Sequence, residues 1–330
     1  MTLGWGIIGL GRAADTLVAP AVTADPNSRL VHVVSRDAGR GKTFGDKHGA
    51  MRSGTDFDAM LADPEVDVVA VTSPNAHHPA QIITAAEAGK HILSDKPLAP
   101  NAAEAERAID ACSGAGVRIG MNFQTRHHSC FQVAKEVIDN GEIGDILSIQ
   151  VDGSPGHAPI GGWRADAELA GLGAVNNIAV HLYDLLRFLT NSEVTEVAAM
   201  FETGREAKLE ILPMVLMRFG SGALAFANGN QITPMPLNDI VIHGTTGRID
   251  GRGITRPMQE GEMRIVTAAG ERSEHYQAHD CYKRLVKAFT KAVLEGRDPN
   301  PSGVDGLRCV QITDAILKSA REGTIVPVKS

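Results

Sequence analysis

A chain of 330 residues is too long for one small core and suits two domains. Its 43% hydrophobic and 22% charged residues are those of a folded globular protein, and 35 glycines beside 4% aromatics point to many tight strand–helix junctions. A formal charge of −7 without a lysine or arginine run offers nothing to nucleic acid or an anionic membrane. No apolar stretch approaches the roughly 20 residues of a membrane helix, and the first residues lack a secretory pattern, so the expectation is small-molecule chemistry in the cytoplasm.

Trp5-Gly6-Ile7-Ile8 reads as a short apolar strand. Gly9-Leu10-Gly11-Arg12-Ala13-Ala14 after it is a Gly-x-Gly-x-x-Ala dinucleotide fingerprint opening a helix. Gly9 permits the tight turn, and Gly11 lets a pyrophosphate approach the backbone beside Arg12 and Ala13, where unpaired N–H groups and the helix dipole favour an anion. Leu30 to Val34 is the second strand. At its end an NAD-binding chain usually carries Asp or Glu for the ribose hydroxyl. Here stand Ser35 and Arg36, a hydroxyl and a guanidinium suited to a phosphate. Arg40 adds to that charge and Asp37 opposes it, so NADP(H) is favoured over NAD(H).

Val66 to Thr72 reads as a buried strand, and a helix runs between Pro79 and Gly89. His91-Ile92-Leu93-Ser94 is a further strand, leading into Asp95-Lys96-Pro97. A residue before proline is held extended, which aims the Lys96 ammonium off a strand end, where open α/β sheets bind ligands. Taken alone, Lys-Pro is an ordinary strand-to-loop turn; downstream of the fingerprint it sets a lysine at the cofactor. Asn101-Ala102-Ala103-Glu104 is a capping-box start for a helix reaching Gly114, and Val117 to Met121 is another strand. This βαβ rhythm predicts an α/β Rossmann domain with a parallel sheet over 1–121.

From 122 to 330 the pattern changes. After a helix from His128 to Asn140 come strands at Ile146–Val151, Thr195–Phe201, Glu210–Phe219, Ala223–Asn230, Asp239–His243 and Met263–Thr267. A hairpin turn is expected at Phe219-Gly220-Ser221-Gly222-Ala223 and a turn at Gly244-Thr245-Thr246-Gly247. The prediction is a C-terminal α/β domain with a large, mainly antiparallel open sheet. Two closing helices, His279–Leu294 and Val304–Arg321, are available to pack back on the first domain. Cys112, Cys130, Cys281 and Cys309 are scattered and read as buried or idle thiols. Neither His77-His78 nor His127-His128 has the spacing of a helical metal pair, so no metal is expected.

Residues 153 to 173 form a Gly- and Pro-rich loop containing His157, Trp163 and Arg164. Behind it, Ala174 to Leu189 carries an apolar stripe at 175, 178, 182, 185 and 189 that predicts a helix facing the core. Asn177, His181 and Asp184 fall on another face at i, i+4 and i+7.

With these pieces together the chain resembles the glucose–fructose oxidoreductase, inositol dehydrogenase and rhizopine-catabolism (Gfo/Idh/MocA) family along essentially its whole length. The matching stretches are the fingerprint, Ser73-Pro74-Asn75-Ala76-His77-His78, Ala88 to Leu93 leading to Asp95-Lys96-Pro97, and Gly171 through His181 with Asp184. Gly162-Trp163-Arg164, Val180-His181 and Leu186-Arg187-Phe188 look most like sugar reductases of the 1,5-anhydro-D-fructose reductase type. The resemblance implies nicotinamide-dependent chemistry on sugars, anhydrosugars or cyclitols, with Ser73, Pro74, Asn75, His78 and Asp95 joining the cofactor site. It also implies a C-terminal domain that binds substrate and assembles a homodimer or homotetramer.

Two departures stand out. The family's Glu-Lys-Pro is Asp95-Lys96-Pro97, a conservative change. The aspartate usually found four residues before the histidine is Asn177, which supplies hydrogen bonds without charge and signals an unusual substrate. The implied reaction is hydride transfer between a substrate carbinol or carbonyl carbon and the nicotinamide. His181 exchanges the hydroxyl proton, and Lys96 hydrogen-bonds the same oxygen. Asn122, Arg126, His157, Trp163, Arg164 and Asn177 are the expected substrate contacts. Two other readings stay open: a redox-neutral enzyme that retains its nicotinamide to drive elimination or glycoside cleavage, and a non-catalytic dinucleotide-responsive regulator.

Overall fold

The N-terminal alternation of strands and helices folds into a six-stranded parallel sheet in the computed structural model, which describes residues 2–156, 161–204, 209–256, 260–277 and 280–329. Its strands are β1 (Leu3–Ile8), β2 (Ser28–Val34), β3 (Arg52–Gly54), β4 (Val68–Val71), β5 (His91–Ser94) and β6 (Ile119–Met121), in the order β3-β2-β1-β4-β5-β6. Every residue of β1 and β4 is buried, the sign of central strands covered on both faces. Between the strands run α1 (Ala19–Ala24), α2 (Ala38–His48), α3 (Phe57–Leu61), α4 (His78–Glu87) and α5 (Ala102–Gly114). Asn101 caps α5, its Oδ1 accepting the Glu104 N–H at 3.0 Å, as the capping-box reading anticipates.

By packing, the chain divides into two units, Met1–Phe123 with Tyr282–Leu307 and Gln124–Cys281 with Arg308–Ser330. In the second unit α6 (Ser129–Asp139), β7 (Ile146–Gly153), α7 (Ala167–Ala170) and α8 (Val180–Thr190) precede the rest of the sheet. That sheet adds β8 (Val194–Thr203), β9 (Glu210–Phe219), β10 (Leu224–Gly229), β11 (Ile240–Gly244), β12 (Gly247–Arg252), β13 (Gly261–Thr267), β14 (Gly270–Tyr276) and β15 (Val326–Pro327). The nine strands run β14-β13-β12-β11-β7-β10-β9-β8-β15. All pairs are antiparallel except β7 with β10. The predicted turn at Gly244–Gly247 is a hairpin joining β11 to β12.

Helices α9 (Cys281–Leu294) and α10 (Gly303–Glu322) divide between the cores. Val286, Phe289 and Val293 of α9 join Trp5, Ile7, Val22 and Val33 of the first unit, with the Trp5 and Phe289 rings 5.5 Å apart. Ile312, Ala315 and Ile316 of α10 pack into the second, beside Leu182, Leu185, Met217 and Ile242. On the other face of the nine-stranded sheet the cross-strand neighbours Ala198, Leu216 and Phe226 line a shallow groove with Leu224 and Ile325. Leu216 is 58% and Met200, further along β8, 78% exposed. Among the described residues no helix is long and apolar enough to cross a membrane.

Candidate active site

In the first unit the loop after β1 is shaped by two glycines. Gly9 has φ +91°, and a Cβ there would stand 2.4 Å from the Ser73 nitrogen, so only glycine lets this loop lie on the segment that follows β4. No atom lies within 4 Å of where a Gly11 Cβ would be, which leaves its backbone open to an approaching group. A helical run opens directly after it at Arg12 and Ala13 and passes through a π-turn at Ala14–Val18 before α1. The loop lies between the outward neighbours β2 and β4, where the strand order changes direction, the position at which open α/β sheets take a dinucleotide. The residues present fit a pyrophosphate there.

At the end of β2, Ser35 is half-buried, while Arg36 and Arg40 are exposed. Asp37, the residue that opposes a phosphate in the sequence, is engaged elsewhere. Its Oδ1 accepts the Arg40 N–H at 2.8 Å as the cap of α2.

After β4, Ser73 and Asn75 are each 6% exposed, and the Ser73 hydroxyl donates to Gln81 Oε1 at 2.6 Å. Around Pro74 the loop therefore offers a ligand mainly its backbone. His78, expected at the cofactor site, is fully buried, with Nδ1 2.7 Å from the Pro97 carbonyl oxygen and Nε2 2.9 Å from that of Ser73. The imidazole thus spans the loop after β4 and the residue following Lys96. Asp95 Oδ1 accepts the Lys96 N–H at 2.9 Å, and Asn122 Nδ2 donates to the same oxygen at 3.4 Å. Lys96 is half-buried, and the Lys96–Pro97 peptide bond is cis. Asn122 is 2% exposed, and its Oδ1 has no hydrogen-bond partner among the described residues.

Burial holds the His78 imidazole below its ordinary pKa of 6.5, against the pull of the Pro97 carbonyl and Asp95. Burial does the same to His91, whose Nδ1 accepts the Arg118 N–H. Unfolding releases both rings to water, where they bind a proton more readily. Their contribution to stability is complete above 6.5 and falls as the pH drops below that value. The urea midpoint is expected to be lower at about pH 5.5 than at about pH 7.5, before most carboxylates titrate. A flat midpoint across that window would count against neutral buried rings.

In the second unit the stripe residues Val175, Leu182, Leu185 and Leu189 are buried as predicted, yet α8 is buried almost all round. Within α8 only His181, Phe188 and Thr190 are half-buried, which makes a histidine in its first turn conspicuous. The segment before it is a π-turn, Val175–Ala179, rather than the start of an α-helix. Glu210 of β9, 6% exposed, accepts the Val175 N–H at 3.0 Å, and burial raises its pKa. A Cβ on Gly229 would stand 2.5 Å from the Ala179 Cα, so the end of β10 packs directly on this turn.

That approach puts Gln231 beside Asn177. Arg164 Nε donates to Asn177 Oδ1 at 3.2 Å, and Asn177 Nδ2 donates to Gln231 Oε1 at 3.3 Å. Arg164 also lies over the Trp163 ring, 4.3 Å from its centre. The predicted substrate contacts Trp163, Arg164 and Asn177 therefore come together, joined by Gln231, which had no motif to mark it. Arg126, also expected at the substrate, is 6% exposed and forms a bidentate pair with the fully buried Asp184, at 2.8 and 2.6 Å. Its guanidinium ties its own segment to α8. His157 lies outside the described residues.

Residues 3–123 match the family described as "Oxidoreductase family, NAD-binding Rossmann fold", and residues 131–250 match the "GFO/IDH/MocA C-terminal domain". The 1,5-anhydro-D-fructose reductase of Ensifer adhaerens is 29% identical over 99% of this chain and 98% of its own. Among solved structures, the aldose-aldose oxidoreductase from Caulobacter crescentus complexed with glycerol superposes with a TM-score of 0.91 at 28% identity, covering 99% of this chain and 100% of the other. A levoglucosan dehydrogenase in complex with NADH and levoglucosan gives 0.91 at 26% identity, with both chains covered fully. Likeness at matched length runs through both halves, and the chain belongs to the Gfo/Idh/MocA family of oxidoreductases.

Proposed function

We propose that this protein transfers a hydride between NADP(H) and a carbinol or carbonyl carbon of a sugar, anhydrosugar or cyclitol. The observation that carries the reading is the position of Lys96. It follows β5 at the same carboxyl edge of the parallel sheet as the Gly9–Gly11 loop after β1 and Ser73 after β4. A cation at that edge, beside an open dinucleotide loop, suits stabilisation of a negatively charged oxygen.

Gly9, Gly11, Arg12 and Ala13 would hold the pyrophosphate, Ser35, Arg36 and Arg40 the adenosine end, and the Ser73–Asn75 loop with Asp95 the remainder. The nicotinamide, when bound, gives or takes the hydride. Lys96 Nζ donates to the reacting oxygen, and His181 takes or returns that oxygen's proton. Asn177 orients the substrate from one turn before His181. NADP(H) over NAD(H) is supported by the Ser35 hydroxyl beside the exposed Arg36 and by the engagement of Asp37 as a helix cap. Ser35→Asp is expected to move the NADPH-to-NADH ratio of kcat/KM toward NADH by roughly tenfold to a hundredfold, by exchanging a charge-assisted bond for repulsion. Unchanged cofactor preference would refute this placement of the phosphate.

The exposed apolar face around Leu216, Met200 and Phe226 supports assembly as a homodimer or homotetramer through the second unit. Four buried cysteines, none in a disulfide, accord with a cytoplasmic setting. The function is tested by fluorescence titration with NADPH and NADH, followed by a turnover screen of ketoses, aldoses, anhydrosugars and inositols. Tight binding with turnover supports the oxidoreductase. Tight binding with no net turnover favours a retained-cofactor enzyme or a regulator.

A further inference from the structure

The polar chain of Arg164, Asn177 and Gln231 has a direction, and the direction leaves one donor over. A guanidinium can only donate, so Arg164 Nε fixes Oδ1 of Asn177 as the acceptor at 3.2 Å. Asn177 Nδ2 must then face an acceptor, and it meets Gln231 Oε1 at 3.3 Å. This leaves Nε2 of Gln231 as the free end. Gln231 is 5% exposed, and that nitrogen has no hydrogen-bond partner among the described residues. A buried amide with an unmade donor bond is costly in a resting protein. It is accounted for if a ligand oxygen completes it.

We propose that Gln231 is a specificity-determining residue whose Nε2 donates to a substrate carboxylate oxygen, a charge-assisted bond that a hydroxyl or ether oxygen matches only weakly. The proposal deepens the sugar-oxidoreductase reading and rests on it for the class of ligand. An aspartate at position 177 would reverse the arrangement. With two acceptor oxygens it would take the Arg164 bond and also demand a donor from Gln231, which would turn over and present Oε1 outward. The site would then favour a hydroxyl that donates, and the added charge would repel a carboxylate. Asn177 with Gln231 therefore selects the acceptor end of a sugar derivative where an aspartate would select the donor end.

The test is calorimetric binding of three probes, D-glucuronate, anhydroglucitol and myo-inositol, to the full-length protein with and without NADPH, with oxidation of each probe by NADP+ followed in parallel. Wild-type protein is expected to bind glucuronate at least about tenfold more tightly than anhydroglucitol or inositol, the scale of one charge-assisted hydrogen bond to a buried donor. Gln231→Leu should abolish the difference. Gln231→Glu, which keeps the shape and the acceptor for Asn177 but loses the donor, should abolish it too and excludes a folding defect as the cause. Asn177→Asp should shift the ranking toward inositol. Equal binding of the three probes, no binding of any, or an unaltered ranking in Gln231→Leu overturns the proposal. Probe discrimination without turnover would sink the oxidoreductase reading while leaving the role of Gln231 standing.

Discussion

Lys96→Ala is expected to lower kcat by about a hundredfold to a thousandfold, the range for removing one preorganised donor from a developing oxyanion. NADPH affinity should change only a few-fold. The Asp95 and Pro97 contacts that set this segment use backbone atoms of Lys96 and Pro97, and alanine retains them. The loss therefore belongs in kcat and in kcat/KM equally, the mark of an interaction made in the transition state. Lys96→Arg should not restore the rate, because a planar guanidinium is bulkier and directs its protons differently from an ammonium. Steady-state kinetics beside a fluorescence titration of cofactor separates the effects. Wild-type turnover in Lys96→Ala would remove the lysine from the mechanism.

His181→Ala should be of similar size, about a hundredfold to ten-thousandfold in kcat, as general acid–base groups contribute. Its distinguishing mark is the pH profile. Loss of the imidazole should flatten the limb that proton exchange imposes, whereas a packing role would lower the rate evenly across pH. α8 should survive the change, because its neighbours Val180, Leu182 and Tyr183 are buried and His181 is only half-buried. Circular dichroism on the variant checks that point, and an unflattened profile would assign the proton to another group.

Local chemistry made much of this architecture legible. Asn101 and Glu104 announced the start of α5 because a cap is written within four residues, and the glycines of Phe219–Ala223 announced a hairpin that Gly222 turns at φ +92°. The strands β3, β12 and β14 escaped notice for the opposite reason. Arg-Ser-Gly, Gly-Arg-Ile-Asp-Gly-Arg and Gly-Glu-Arg-Ser-Glu-His-Tyr owe their strand state to neighbours in the sheet, and β14 is an edge strand whose charges suit exposure.

The site divides in the same manner. Gly9, Gly11, Lys96 and His181 stand in short motifs with a physical reason for each residue. The pair of Arg126 with Asp184 was not legible, because the two are 58 positions apart and nothing between them signals a buried pair. Gln231 was invisible because its meaning lies in Asn177, 54 positions earlier, and in the bare backbone of Gly229 that lets the two meet. At His78 the motif marks the loop but not the two carbonyls that the imidazole joins, because they lie 5 and 19 positions away.

The return of α9 to the first unit sets the order in which a newly made chain can mature. Ser28 and Thr290 share a hydroxyl contact at 2.9 Å across 262 positions, and Trp5 waits longer still for Phe289. All six strands of the first sheet leave the ribosome before any part of α9 exists, so that core stays open while the whole of 124–281 is synthesised. The second unit waits in turn for Ile312, Ile316 and Val326. The first unit waits for Tyr282–Leu307 and the second for Arg308–Ser330, so neither core closes until late in translation. Each core thus matures late, and the face of the first core that α9 covers stays open until then.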